Sequence, residues 1–199
     1  MTSAARQHNM TRPRAGRGAA ALLMLLSLCL ALAGAPSARA AEPELTSFEL
    51  THNEEGLLLS YGVDLELSRS VEEALSKEVA LFFVAEAEVF RNRFYWRDQR
   101  VGHAVRRWRI VFQRLTSSYR VTFDGGLSQS YASRAEAFAA ISRSARWKIA
   151  EAAQIEDGSR HYVEFSYRLD TSQLPRPMQI GIGGQADWTL SVQRTQKIN

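Results

Sequence analysis

The run Leu45-Thr-Ser-Phe-Glu-Leu-Thr51, His52-Asn-Glu-Glu-Gly56, Leu57-Leu-Leu-Ser-Tyr-Gly-Val-Asp-Leu-Glu-Leu67 decides the fold. Apolar residues alternate along it on both sides of a polar turn that carries a glycine. Strand side chains point to opposite faces in turn, so Leu57, Leu59, Tyr61, Val63, Leu65 and Leu67 fall on one face. The pattern predicts an antiparallel hairpin with one buried side.

The chain after this hairpin repeats the theme. Ser70-Val-Glu-Glu73 has capping-box spacing and predicts a short helix ending near residue 80. Residues 81–97 and 101–115 read as two long strands about a turn. Residues 119–123 and 127–131 read as a second hairpin, with Gly125-Gly126 suited to the positive φ of a tight turn. Ser133-Arg-Ala-Glu136 opens a second short helix. Residues 147–153, 161–169 and 187–193 read as further strands. Pro175 and Pro177 predict a rigid, non-helical connection. The sum is an α+β domain over residues 41–199, mostly antiparallel β-sheet or sandwich, with about eight strands and two short helices.

Before the hairpin, residues 1–40 read as a secretory signal peptide. Arg6, Arg12, Arg14 and Arg17 stand in a head without acids. Residues 19–33 are apolar apart from Ser27, and Ala38-Arg39-Ala40 supplies a small-x-small exit. The apolar run is shorter than the ~20 residues that span a bilayer. Export to the periplasm, with cleavage near Ala40, is the expectation; an uncleaved anchor is the alternative. There is no Arg-Arg pair, and Cys29 follows Leu28, so neither a twin-arginine nor a lipoprotein signal is expected.

Removing that segment changes the charge. The full chain has 25 bases and 21 acids. The first forty residues hold five Arg and no acid, leaving 20 − 21 = −1. The basic character therefore belongs to the leader and does not point to nucleic acid. Within the remainder, residues 42–90 carry twelve acids and two bases, and residues 91–199 carry eighteen bases and nine acids. The two portions, −10 and +9, are expected to attract one another within one domain. The one cysteine lies in the leader, so disulfides, thiol catalysis and cysteine metal sites are excluded from residues 41–199.

Four groups of residues carry a resemblance. They are Arg93-Phe-Tyr-Trp96; Arg107-Trp-Arg-Ile-Val-Phe-Gln-Arg-Leu115 with Tyr119-Arg-Val121; Leu169-Asp170 with Leu174-Pro-Arg-Pro-Met-Gln-Ile180; and Asp187-Trp-Thr-Leu190. Together they resemble the Gram-negative envelope family of domain of unknown function 4390, over nearly all of residues 42–195. No catalytic role follows from that resemblance. Its members are often encoded beside a two-component sensor kinase and an rRNA methyltransferase. The resemblance thus implies a periplasmic accessory role, with an envelope or inner-membrane protein as partner, a sensor kinase among the candidates. Peripheral membrane contact is a further expectation.

The candidate site is an anion- or partner-binding cluster of Arg91, Arg93, Tyr95, Arg107 and Arg109. If the two long strands pair so that residue numbers sum to about 200, Arg91 faces Arg109 and Arg93 faces Arg107. Like charges directly opposite are destabilising, so such a cluster calls for an anion or for acids. Guanidinium forks match phosphate and carboxylate, and Tyr95 would add stacking. A slip of one residue would disperse the cluster. The alternative reading is a solvated strand face neutralised by the acidic portion. His52, His103 and His161 lack metal-ligand spacing, so no metal or cofactor is expected. No Gly-x-Ser-x-Gly elbow is present. Glu86, Glu88 and Asp170 are the acids a glycosidase would need, with solvent exposure the simpler explanation. Gly181-Ile-Gly-Gly184 reads as a turn, and Trp96, Trp108, Trp147 and Trp188 read as core. The expected function is a non-enzymatic binding or accessory module. A carrier or chaperone for an apolar or lipid-like molecule is the alternative, and a hydrolase a weaker one.

Overall fold

The computed structural model describes residues 43–155, 160–182 and 186–198. The expected signal segment and Gly183-Gly184 lie outside these residues. Residues 40–199 form one compact unit.

The opening hairpin is β1 (Glu44–Asn53) and β2 (Gly56–Asp64). It pairs as expected, with Phe48 opposite Tyr61 and Asn53 opposite Gly56. Leu57, Leu59, Tyr61 and Val63 are buried on the predicted face. The strand stops at Asp64, so Leu65 and Leu67 continue only as part-buried residues beyond it. Then come α1 (Arg69–Ser76), β3 (Leu81–Arg91), β4 (Gln99–Gln113), β5 (Ser118–Phe123) and β6 (Ser128–Tyr131). They are followed by α2 (Arg134–Ser142), β7 (Arg143–Ala150), β8 (His161–Leu169), α3 (Arg176–Ile182) and β9 (Ser191–Lys197).

The fold is α+β with two antiparallel sheets, ordered β1-β2-β7 and β6-β5-β4-β3-β8-β9. Their facing sides hold the core. Odd positions of β3 and β8 (Phe83, Ala85, Ala87, Val89; Val163, Phe165, Tyr167) and Trp108 and Ile110 of β4 are buried there. Tyr61 of the small sheet meets Phe165 at 4.7 Å and Trp147 at 6.1 Å between ring centroids. Phe138 of α2 packs edge-on against Phe83 at 5.9 Å. At Gly102 the sheets come so close that a Cβ would lie 2.8 Å from the Ala150 Cβ and 2.8 Å from the Ile149 carbonyl. Gly125 and Gly126 have φ of +93° and +87°, the backbone the β5–β6 turn requires.

Several local readings need correction. The N-cap of α1 is Ser68, not Ser70; its hydroxyl accepts from the Val71 N–H at 3.3 Å. Ser133 does cap α2, accepting from the Glu136 N–H at 3.2 Å. The segment after Leu174 is helical as α3, making three helices among the described residues. Pro177 falls in the first turn of α3, where no intrahelical N–H is lost. The strand expected over 187–193 begins at Ser191, because Ala186–Trp188 is a 3-10 turn. Trp108, Trp147 and Trp188 are buried, but Trp96 is 79% exposed.

Candidate functional site

The register of β3 against β4 governs every candidate residue. Leu81 pairs with Ile110, Val84 with Arg107 and Val89 with Gly102, so paired numbers sum to 191 rather than about 200. The difference is odd, and an odd shift turns one strand over relative to the other. Arg109 therefore stands opposite Phe82, Arg107 opposite Val84, and Arg91 opposite Gln99. A one-residue bulge precedes Phe90. Arg91 is half-buried, opposite His161 on β8 and on the side of Val89, away from Arg107 and Arg109. Arg93 and Tyr95 lie beyond β3 in the loop before β4. The sheet thus brings together Arg107 and Arg109 and separates them from Arg91, Arg93 and Tyr95. The expected facing pairs Arg91–Arg109 and Arg93–Arg107 do not form.

Arg107 and Arg109 sit on the outer face of the six-stranded sheet, because Trp108 and Ile110 between and beside them turn inward. A groove of about 360 Å³ opens there. Phe82 and Val84 form part of its floor; Thr122, Asp124 and the Gly125-Gly126 turn, with Asp170, form its sides. Among the described residues, no acid lies within ion-pair distance of Arg107 or Arg109. Asp170 is already engaged, accepting from the Ser172 N–H at 3.1 Å and its hydroxyl at 2.6 Å.

The other end of the outer face is acidic. Glu88 stands directly opposite Glu164 on β8 and His103 on β4. Like charges face each other there, and bases answer them. Arg100 donates to Glu88 at 2.6 Å. Glu86 receives His103 Nε2 at 2.9 Å on one oxygen and Arg168 at 3.1 Å on the other. The hydrogen bond to His103, and then Arg168, hold the Glu86 carboxyl below its ordinary pKa against the opposing pull of burial. Ligand atoms of Glu86, Glu88 and His103 lie within 4.8 Å of one another, a set that could receive a divalent cation. Arg100 and Arg168 already supply positive charge to those carboxylates, so a cation would compete with both.

The loop joining β3 to β4 forms the third feature. Phe94, Tyr95 and Trp96 are 88%, 85% and 79% exposed. The loop is tied down behind them. Asp98 accepts from the Arg93 N–H at 3.2 Å and from the Tyr162 hydroxyl at 2.8 Å, and the Arg93 guanidinium donates to Gln99. Burial, and then the Asp98 hydrogen bond, push the Tyr162 pKa up to about 12. Phe90 and Tyr162 stack at 5.3 Å beneath the loop.

Residues 40–198 match the family described as domain of unknown function DUF4390. The chain belongs to that family. No curated protein and no solved structure matches it. The DUF4390 match spans every described strand, so the outer-face groove, the acid–histidine row and the aromatic loop are all parts of the family domain.

Sequence reasoning put Arg107 and Arg109 on one strand face but missed the gathering of Glu86, Glu88 and His103. Glu86 and Glu88 were visible as same-face neighbours; His103 joins them only through a register that sequence does not print. The exposure of residues 94–96 did leave a signal. Three consecutive aromatics cannot all face one side of a strand, and Arg93 and Arg97 bracket them.

Proposed function

We propose that this DUF4390 chain is an exported, non-enzymatic binding module of the Gram-negative envelope. In this reading it receives an acidic group of an envelope or inner-membrane protein partner in the groove at Arg107 and Arg109. The observation that carries it is two guanidiniums on one strand face, without a carboxylate partner among the described residues, over an apolar floor of Phe82 and Val84. Guanidiniums so arranged suit a carboxylate or phosphate, and the apolar floor suits the carbon skeleton that bears it. Supporting export is the leader: basic head, apolar 19–33, and Ala38-Arg39-Ala40. A carrier holding an apolar molecule between the sheets is less favoured, because Tyr61, Phe83, Trp108, Trp147, Phe165 and Tyr167 fill that space. A sensor kinase remains the partner class that the family resemblance suggests.

The test is crosslinking and pull-down from intact cells with the full-length gene product. Arg107→Glu/Arg109→Glu is expected to lose at least tenfold in partner recovery while keeping the wild-type thermal midpoint. Equal recovery would refute the groove. Mass spectrometry of the recovered chain is expected to find an amino terminus at Ala41; an intact leader on a cytosolic chain would refute export.

A further inference from the structure

We propose that the β3–β4 loop docks on the surface of a bilayer containing anionic phospholipid, with Phe94, Tyr95 and Trp96 at headgroup depth and Arg93 and Arg97 on lipid phosphates. The groove at Arg107 and Arg109 is a separate feature, and the docking does not depend on it.

Three observations carry the proposal. The first is the aromatic run. Phe94, Tyr95 and Trp96 are almost wholly exposed on a loop apex, and the Phe94 and Tyr95 rings pack edge-on at 4.7 Å. Contiguous exposed apolar surface marks an interaction site. Tyr and Trp combine an apolar ring with a polar handle, the pairing found where hydrocarbon meets water.

The second is charge. Exposed Arg93 and Arg97 bracket the aromatics. Two more bases stand at the same end of the sheet. The Arg160 carbonyl accepts from the Asn92 N–H at 2.8 Å, and Lys197 pairs with Tyr162; both side chains are exposed. Asp98, the acid within the loop, is turned back to the Arg93 N–H and the Tyr162 hydroxyl. A basic collar behind an aromatic apex is complementary to anionic headgroups over an apolar interior.

The third is anchorage. The Asp98 contacts and the Phe90–Tyr162 stack fix the base of the loop, so presenting the aromatics costs little ordering on binding. Among the described residues no helix is long and apolar enough to cross a membrane.

The four tryptophans make the test direct. Trp108, Trp147 and Trp188 are buried, so an emission change on adding lipid reports Trp96. The exported chain, beginning at Ala41, is mixed with vesicles of phosphatidylcholine, with or without phosphatidylglycerol, some carrying brominated acyl chains. Phosphatidylglycerol vesicles are expected to shift the emission to the blue, and bromine to quench it; Trp96→Phe abolishes both signals. Arg93→Gln/Arg97→Gln is expected to weaken binding more than tenfold, at about fivefold per charge. Added salt weakens it further. Both variants alter exposed side chains and keep the wild-type thermal midpoint. Arg107→Glu/Arg109→Glu keeps the Trp96 signals, which separates this docking from the groove. Unquenched Trp96 in vesicle-bound protein overturns the proposal, as does binding unaffected by the arginine substitutions. A photo-crosslinking residue at position 95 that captures a protein, with vesicles inert, overturns it in favour of a protein dock.

Discussion

Glu86 holds His103 with one oxygen and Arg168 with the other, and so ties β3 to both of its neighbours. Its lowered pKa fixes the sign of a pH effect. A carboxyl whose folded pKa lies below its unfolded value stabilises the fold above the unfolded value, near 4.5, and loses that contribution as pH falls through the folded one. Glu86→Gln is therefore expected to flatten the acid limb of a plot of thermal midpoint against pH below about 4.5. An acid limb identical to wild type would mean that Glu86 titrates normally. At this scale the sequence was legible for identity and blind to company. Glu86 and Glu88 could be seen to share a strand face, but His103 and Arg168 reach them from other strands. Trp96 shows the opposite error: its strand-like surroundings suggested core, and its place on an apex overrode that.

The elements were more legible than their pairing. Alternation exposed β1, β2, β5, β6 and β8 closely, most cleanly in β8, where every odd position is buried; β2 is buried on both faces, and β1 and β6 only border the core. The long reading over 81–97 ran past the end of β3 at Arg91, since apolarity continues through Phe94 and Trp96 although pairing does not. Register was hidden, because the loop between β3 and β4 is longer than the turn assumed and contains a bulge beside it. Gly102 offers the element-level test. Its missing Cβ lets β4 approach β7, and Ala there must push against the Ile149 carbonyl and the Ala150 Cβ. Gly102→Ala is expected to destabilise the protein by about 1–3 kcal/mol in chemical denaturation, the usual range for overpacking. An unchanged midpoint would mean that the sheets separate freely at that point.

At the scale of the whole molecule, the charge split was the most informative feature of the sequence. Among the described residues, five side-chain pairs join an acid of residues 42–90 to a base of residues 91–199: Glu55–Arg146, Glu72–Arg134, Glu86–His103, Glu86–Arg168 and Glu88–Arg100. Exposed pairs contribute little each, about 0–1 kcal/mol, so their value lies in favouring one arrangement of the two portions over others. One aromatic core shared by both sheets predicts one unfolding event. Far-ultraviolet and near-ultraviolet circular dichroism are expected to give coincident thermal transitions; separated midpoints would show that the small sheet melts alone.

The strand order also dictates when this chain can fold. β2 needs β7, and β3 needs β8, so the first hairpin keeps an apolar side without cover until residues beyond 143 have been made. No early segment is self-sufficient, and the contacts that close the core are distant in sequence. A polypeptide emerging amino terminus first therefore leaves that apolar side exposed until its last third arrives.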